Sequence, residues 1–208
     1  MKIKVAIIGE FQDGKSTLIN ALSGQFRAET GWGTATTSRV EEYPLPGTDC
    51  ILLDTPGFNA PRVGDCPSTY SGVQDADAFI LLLSQVQATD NLLDEVQRCM
   101  KMGSKGRRPI IPLINDRDRN NRAIQDISIA KMHRRGFHPI LFGNEIPCFN
   151  ARRWEKGRQD EDDYVGIRRL QYLLGIHPFR VPSPLTLICS MMRITQQVIH
   201  ALTNTQIR

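Results

Sequence analysis

The stretch that decides the fold is Gly9-Glu10-Phe11-Gln12-Asp13-Gly14-Lys15-Ser16. Its two glycines enclose four residues and are followed directly by Lys and Ser, which is the spacing of a loop that binds phosphate groups. The apolar run before it, which ends at Ile8, is typical of a strand buried on both faces of a parallel sheet. The pattern after it predicts a helix that stops at Gly24. Strand, loop and helix in this order surround a polyphosphate with backbone N–H groups and the positive end of a helix.

Different residues of the loop are expected to contact different parts of a nucleotide and its metal ion. We expect Lys15 to neutralise the β- and γ-phosphates and Ser16 to supply one Mg²⁺ ligand. The predicted nucleotide-binding residues in this region are Gly9, Phe11, Gln12, Asp13, Gly14, Lys15, Ser16 and Thr17. The alternative is a Gly-rich turn that only joins a strand to a helix, and the register of Lys15 and Ser16 argues against it.

A second motif, Asp54-Thr55-Pro56-Gly57, directly follows the apolar run 51–53. A carboxylate at the end of a buried strand lies at the carboxyl edge of the sheet, so Asp54 is predicted to help hold Mg²⁺. Gly57 can bring its N–H close to a γ-phosphate. Pro-Gly also suits an ordinary turn, but its place about 40 residues after the phosphate loop favours the metal-site interpretation.

The rest of the chain alternates between strand and helix patterns, which predicts an α/β doubly wound domain with a mostly parallel sheet. One antiparallel pair is expected, over 40–45 and 50–53 around Pro46-Gly47. Further strands are predicted at 78–83, 110–114 and 146–149, and helices at 91–102, 122–134 and 164–174. Residues 25–38 and 58–76 are predicted to be mobile loops, and 176–208 a Pro-rich linker with an amphipathic C-terminal helix.

Size and composition predict one soluble domain over 1–208, with its core in 1–175. The chain has 208 residues, of which 40% are hydrophobic, and no apolar run is long enough for a spanning helix. The N-terminal residues lack the pattern of a signal peptide. Five scattered cysteines favour a reducing compartment. We therefore expect a cytoplasmic protein whose membrane contact, if any, is peripheral.

Positive charge is concentrated in residues 101–135, which hold ten Lys and Arg residues against three acids. Such a region can be a solvated basic face beside a nucleotide site. This solvated face is the favoured interpretation, and attraction of RNA or an anionic membrane surface is the alternative that the sequence leaves open.

Two runs resemble the G domains of translation-factor-related (TRAFAC) GTPases, in particular Era-like and dynamin-like members: Gly-Lys-Ser-Thr-Leu-Ile-Asn-Ala-Leu at 14–22 and Leu-Asp-Thr-Pro-Gly-Phe at 53–58. By order of elements the resemblance covers 1–175. It implies the three-layer fold of P-loop NTPases, binding of GTP/GDP with Mg²⁺, and a switch whose two loops order around the γ-phosphate. It also implies a Thr that closes over the metal, for which we choose Thr37 before Thr36.

The same resemblance implies where guanine is read. The family's Asn-Lys-x-Asp motif corresponds to residues 115–118, where Asp118 would accept hydrogen bonds from guanine and Asn115 would support the ring and the loop. Asp116 departs from the family lysine, which puts guanine preference in question. The family's Ser-Ala-Lys loop resembles Asn150-Ala151-Arg152, whose Ala151 N–H would meet guanine O6.

Slow hydrolysis is expected, because Phe58 stands where some relatives have a water-orienting Gln. Gln12 lies where some relatives place a potassium-linked Asn or an Arg, and it can serve as a helper or only bond within the loop. The predicted catalytic residues are Lys15, Gln12, Thr37 and Gly57, with Ser16, Thr37 and Asp54 at the metal. The alternatives are a nucleotide-dependent binding or dimerisation module without appreciable hydrolysis, and a P-loop ATPase or small-molecule kinase. An effector protein or a second copy of the chain is the expected partner.

Overall fold

The structure is a computed structural model, and it describes residues 2–24, 28, 39–58, 73–83, 88–101, 108–115, 122–142, 145–157 and 161–175. Several sequence predictions lie outside these residues. They are Thr36, Thr37, Asp116, Asp118, most of the two loops at 25–38 and 58–76, and the C-terminal helix in 176–208. The side chain of Arg152 also lies outside them.

Within the described residues, six strands form one sheet in the order β2-β3-β1-β4-β5-β6. They are β1 (Ile3–Ile8), β2 (Glu41–Pro44), β3 (Cys50–Asp54), β4 (Ala78–Leu83), β5 (Ile110–Asn115) and β6 (Cys148–Phe149). β2 runs antiparallel to β3, and all other neighbours are parallel. This confirms the predicted α/β fold with a mostly parallel sheet and one antiparallel pair.

The helices follow the strands as the apolar patterns predict, with differences at their ends. They are α1 (Lys15–Ser23), α2 (Asp90–Lys101), α3 (Arg122–Arg134), α4 (Ala151–Glu155) and α5 (Glu161–Leu173). The helix α4 was not predicted, since five residues are too few to show an apolar period. The strand predicted over 146–149 is shorter, because only Cys148–Phe149 pairs with β5. Among the helices of the described ranges, none is long and apolar enough to cross a membrane.

Alternate residues of the central strands face two separate apolar clusters, one on each side of the sheet. On one side, Val5 and Ile7 of β1 pack with buried residues of α1 and α5. On the other side, Ala6 and Ile8 pack with buried residues of α2 and with Met132 of α3. Helices on both faces leave the carboxyl edge of the sheet as the place where loops converge.

Three basic side chains from the region 101–135 are engaged within the domain. Arg108 is buried, donates to the carbonyl oxygens of Val73 and Cys99, and lies 4.7 Å from the centre of the Phe79 ring. Burial lowers the pKa of the Arg108 guanidinium.

The other two, Arg135 and Lys131, join α3 to α2. Arg135 donates to Asp90 at 2.9 Å and also to Asp94, while the Lys131 ammonium lies 3.9 Å from Asp90. These side chains add little to a face that could attract RNA or lipid. The prediction of a basic interaction face therefore depends on residues outside the described ranges and on exposed groups such as Arg134.

Gly166 sets how closely α5 approaches the sheet. A Cβ at this position would lie 1.9 Å from the carbonyl oxygen of Cys148, far inside van der Waals contact with backbone atoms. Because backbone cannot rotate away as a side chain can, any larger residue must push α5 from β6.

We therefore expect Gly166→Ala to lower the free energy of unfolding by roughly 3 kcal/mol, an overpacking effect larger than the helix-propensity gain of alanine. Urea denaturation is the measurement. The matched control is Arg168→Ala, at an exposed position of the same helix, which should change stability by no more than about 0.5 kcal/mol. A Gly166→Ala protein as stable as the control would contradict the packing of α5 described above.

Candidate nucleotide-binding site

The chemistry-bearing residues gather at the carboxyl edge of the sheet. The loop 9–14 follows β1, Asp54 ends β3, Asn115 ends β5 and Asn150 follows β6. Parallel neighbours bring these ends together, so residues far apart in sequence share one site. The structure thus brings together Lys15, Ser16, Asp54, Gly57, Asn115 and Ala151, as the motifs predicted.

The phosphate loop ends in a tight turn that requires glycine. Gly14 has a φ of 86°, in the left-handed region, and a Cβ there would lie 2.9 Å from Nδ2 of Asn115. The buried side chain of Asp13 bridges the loop, because its Oδ2 accepts a 2.7 Å hydrogen bond from the Glu10 N–H. Gln12 also has a positive φ, 64°, and is exposed. The bond between Asp13 and Glu10 is therefore one contact that holds the loop in shape from within.

Lys15 carries a buried positive charge. Its Nζ donates to the carbonyl oxygen of Glu10 at 2.7 Å and lies 3.5 Å from that of Gly9. Desolvation lowers the pKa of the Lys15 ammonium, while the nearby charges of Asp13, Asp54 and Glu10 act in the opposite direction. An ammonium in this position is strongly attractive to a phosphate group.

Ser16 and Asp54 form the metal-ligand candidates. The Ser16 hydroxyl donates to Oδ2 of Asp54 at 2.7 Å, across the gap between the start of α1 and the end of β3. Hydroxyl and carboxylate oxygens are the donors that Mg²⁺ prefers, and Mg²⁺ usually takes only one or two protein ligands beside phosphate oxygens. No larger cluster of His, Cys, Asp and Glu that could hold a metal occurs among the residues described. The pair fits a Mg²⁺ that is shared with a polyphosphate.

Gly57 and Phe58 lie against the phosphate loop. The Phe58 N–H donates to the Gly9 carbonyl oxygen at 3.1 Å, and the Phe58 carbonyl oxygen accepts from the Phe11 N–H at 3.0 Å. A Cβ on Gly57 would be 3.0 Å from Nζ of Lys15. Gly57 thus borders the Lys15 ammonium, where its N–H was predicted to approach a γ-phosphate. The Phe58 side chain points into the apolar cluster on the α2 side and is almost fully buried.

Asn115 connects the phosphate loop to the segment after β6. Its Nδ2 donates to the Asp13 carbonyl oxygen at 2.7 Å, and its Oδ1 accepts from the Ala151 N–H at 3.1 Å. Asn115 thus contacts the phosphate loop, and its support of a guanine ring stays a prediction. The Ala151 N–H, expected to meet guanine O6, is directed to Asn115 here, and its contact with a base stays a prediction. Asn150 caps α4 by accepting from the Arg153 N–H, so Arg152 lies in a helical turn and not in the predicted loop.

Two pairs of residues at the site were missed by sequence reasoning. Asn20 of α1 exchanges hydrogen bonds with the backbone of Ala28, at 2.9 and 2.8 Å, and so anchors the chain after α1. The Thr89 hydroxyl donates to the Glu10 carboxylate at 3.1 Å. Thr directly before a helix is a capping signal that could have singled out Thr89, but no local pattern links it to Glu10.

Residues 4–116 match the family model of 50S ribosome-binding GTPases. The chain is 34% identical over 107 residues to GTPase Era of Erythrobacter litoralis, an alignment that covers 47% of this chain and 35% of that protein. It is 39% identical over 87 residues to the small ribosomal subunit biogenesis GTPase RsgA 2 of Vibrio parahaemolyticus, covering 38% and 23%. The chain spans about a third or less of the length of these curated relatives.

Solved structures show the same fold. A variant of Aquifex aeolicus Era bound to GDP and aluminium fluoride has a TM-score of 0.54 and 23% identity, covering 73% of this chain and 52% of that one. Era in complex with MgGDPNP and a 16S ribosomal RNA fragment has a TM-score of 0.53 and 20% identity, with the same coverage. These likenesses establish a P-loop GTPase fold for the described residues.

The buried position of Lys15 suits phosphate binding, but we expect it to lower the free energy of unfolding of the nucleotide-free protein. We expect Lys15→Met to raise the free energy of unfolding of the nucleotide-free protein by about 1 kcal/mol near neutral pH, because an apolar side chain of similar volume needs no solvation. The pKa of Lys15 is lower in the folded chain than its ordinary 10.5, so the unfolded chain binds more protons between these two values. The free energy of unfolding of the wild-type protein therefore rises with pH between the folded and unfolded pKa values of Lys15. The stability difference between Lys15→Met and wild type should shrink as the pH approaches 10.5.

Urea unfolding over a pH series checks this expectation. Lys2→Met, which changes an exposed lysine, is the matched control and should show no such difference. A Lys15→Met protein that is less stable than wild type at every pH would mean that burial of this charge is not costly.

Proposed function

The chain belongs to the family of 50S ribosome-binding GTPases, and from this premise we propose that it binds guanine nucleotide with Mg²⁺, hydrolyses GTP to GDP slowly and acts as a molecular switch. The observation that carries the proposal is the position of the buried Lys15 ammonium beside the Ser16–Asp54 hydrogen bond, at the start of α1. A cation, a hydroxyl and a carboxylate at one helix N-terminus suit a nucleoside triphosphate and its metal.

Each residue has a defined part in this proposal. Lys15 and the N–H groups at the start of α1 bind the phosphates, and Ser16 and Asp54 hold Mg²⁺, with Thr37 as the proposed closing ligand. When bound, Mg²⁺ supplies positive charge that offsets the negative charge of the phosphates. Gly57 borders the γ-phosphate position. Catalysis of this kind depends on positioning and charge, which these groups provide without forming a covalent intermediate.

Guanine recognition is proposed for the segments after β5 and β6, at the same carboxyl edge of the sheet as the phosphate loop. The bonds from Asn115 to Asp13 and from Ala151 to Asn115 support it, because they hold the base-side segment at a fixed distance from the phosphate loop. Asp118 would read the guanine edge. Competition between GTP and ATP for the purified protein separates this proposal from a P-loop ATPase.

Slow turnover is proposed because the residue after Gly57 cannot orient water. The Phe58 side chain has no hydrogen-bonding group and is buried in the core. Gln12 is the one residue of the loop 9–14 with a side-chain amide, and it is exposed and has a left-handed backbone. We propose that its side chain assists the attacking water.

Single-turnover hydrolysis of GTP tests these roles through two variants at one position. Gln12→Ala removes the side chain and strains the left-handed backbone, whereas Gln12→Gly removes the side chain and suits that backbone. Both should slow hydrolysis by about a hundredfold, the lower end of the effect of one lost polar group at a reacting centre. If Gln12→Gly keeps the wild-type rate, the side chain has no part in the reaction. If wild type itself binds GTP but releases no phosphate, the chain is a nucleotide-dependent binding module.

We propose an effector protein or a second copy of the chain as the partner that senses the bound nucleotide, in the cytoplasm. The Era structure that contains ribosomal RNA suggests RNA as another class of partner. This chain covers only 52% of that protein, and Arg108, Lys131 and Arg135 are already engaged internally.

A further inference from the structure

Glu10 lies where the segments after three neighbouring strands meet. It follows β1, it pairs through its backbone with Phe58 beyond β3, and its side chain reaches Thr89 beyond β4. The residue was not among the predicted nucleotide contacts, since the phosphate-loop pattern leaves its position open. Glu10 therefore contacts the segment after β3 and the segment after β4 as well as its own loop.

The backbone of Glu10 is tied to the phosphate-binding groups. Its carbonyl oxygen accepts the shorter of the two hydrogen bonds from the Lys15 ammonium, at 2.7 Å, and its N–H donates to Asp13. The ammonium has three N–H donors and the two carbonyl oxygens use two of them, so a bound phosphate would share this ammonium with the Glu10 carbonyl oxygen. Glu10 is thus linked through one shared cation to the group that would bind phosphate.

The side chain of Glu10 is tied to the start of α2. The Thr89 hydroxyl donates to Oε1 of Glu10 and at the same time accepts from the Leu92 N–H at 3.2 Å, which makes Thr89 the N-terminal cap of α2. A carboxylate near a helix N-terminus is favoured by the helix dipole. The Thr89 hydroxyl thus joins the Glu10 side chain to the cap of α2.

The start of α2 is in turn fixed to α3. The Ala88 N–H donates to the Ser128 hydroxyl at 3.1 Å, and the Lys131 ammonium donates to the Ala88 carbonyl oxygen at 3.2 Å. α3 also holds the segment before β6, because the buried Gln125 accepts from the Ile146 N–H at 3.1 Å. A shift at Thr89 would therefore reach a surface formed by α2 and α3.

We propose that Glu10 is a positioning residue that couples the phosphate loop to α2 through its hydrogen bond with Thr89, so that nucleotide binding changes the capping of α2. The proposal rests on the nucleotide binding proposed above. Through this contact, the bound nucleotide would affect the surface formed by α2 and α3 independently of the two loops at 25–38 and 58–76. Coupling of this kind requires that the two nucleotide states differ in this contact.

Hydrogen exchange of the full chain, with and without GDP and Mg²⁺, tests the proposal in peptides that cover residues 88–101. Uptake of a fluorescent GDP analogue is measured in parallel for every protein. In wild type, GDP should change exchange at the start of α2 by about fivefold, the effect expected when one capping hydrogen bond is gained or lost. Glu10→Ala and Thr89→Val should lose this GDP-dependent change. Glu10→Gln and Thr89→Ser, which keep an acceptor and a hydroxyl, should retain it.

The outcomes separate the coupling from a merely structural cap and from the proposed function. A structural cap predicts that Thr89→Val speeds exchange equally with and without GDP, and that Glu10→Ala keeps the full GDP-dependent change, which would overturn the coupling. Wild-type protein that takes up GDP with no change in residues 88–101 would also overturn it. Wild-type protein that takes up no GDP would instead contradict the proposed function on which it rests.

Discussion

The buried ammonium of Lys15 is the constraint on which the rest of the site depends. A positive charge removed from water is unfavourable unless polar groups surround it, and here carbonyl oxygens of the phosphate loop accept its hydrogen bonds. The loop folds back toward the start of α1, which places these carbonyl oxygens within hydrogen-bonding distance of the Lys15 ammonium. Desolvation disfavours the charged form of Lys15, and the carboxylates of Asp13 and Asp54 offset part of that cost.

The neighbouring contacts tie the phosphate loop and the turn after β3 to the strands. Thr55 donates to the Ile7 carbonyl oxygen at 2.6 Å and so fixes the turn after β3 to β1. Asn115 fixes the loop from the other side through the Asp13 carbonyl oxygen. Between them, Phe58 pairs with Gly9 and Phe11 while its ring fills the core on the α2 side. A site built from strand ends keeps its geometry because the strands cannot move independently.

Most of the fold and the main groups of the site could be predicted from local patterns. The spacing of Gly14 and Lys15 and the carboxylate at the end of β3 are signals within a few residues of chain. The Glu10–Thr89 bond joins residues 79 positions apart, and the close approach at Gly166 depends on how α5 meets β6. Such contacts arise from tertiary packing and leave no period in the sequence. The five residues of α4 were likewise too short to give a pattern.

Calorimetric titration of the wild-type chain with GDP, in the presence and absence of Mg²⁺, directly measures binding of nucleotide and metal. If Lys15, Ser16 and Asp54 bind phosphate and metal as described, GDP binds stoichiometrically and binds more tightly when Mg²⁺ is present. Folded protein, verified by circular dichroism, that releases or absorbs no heat with GDP under either condition would contradict the account.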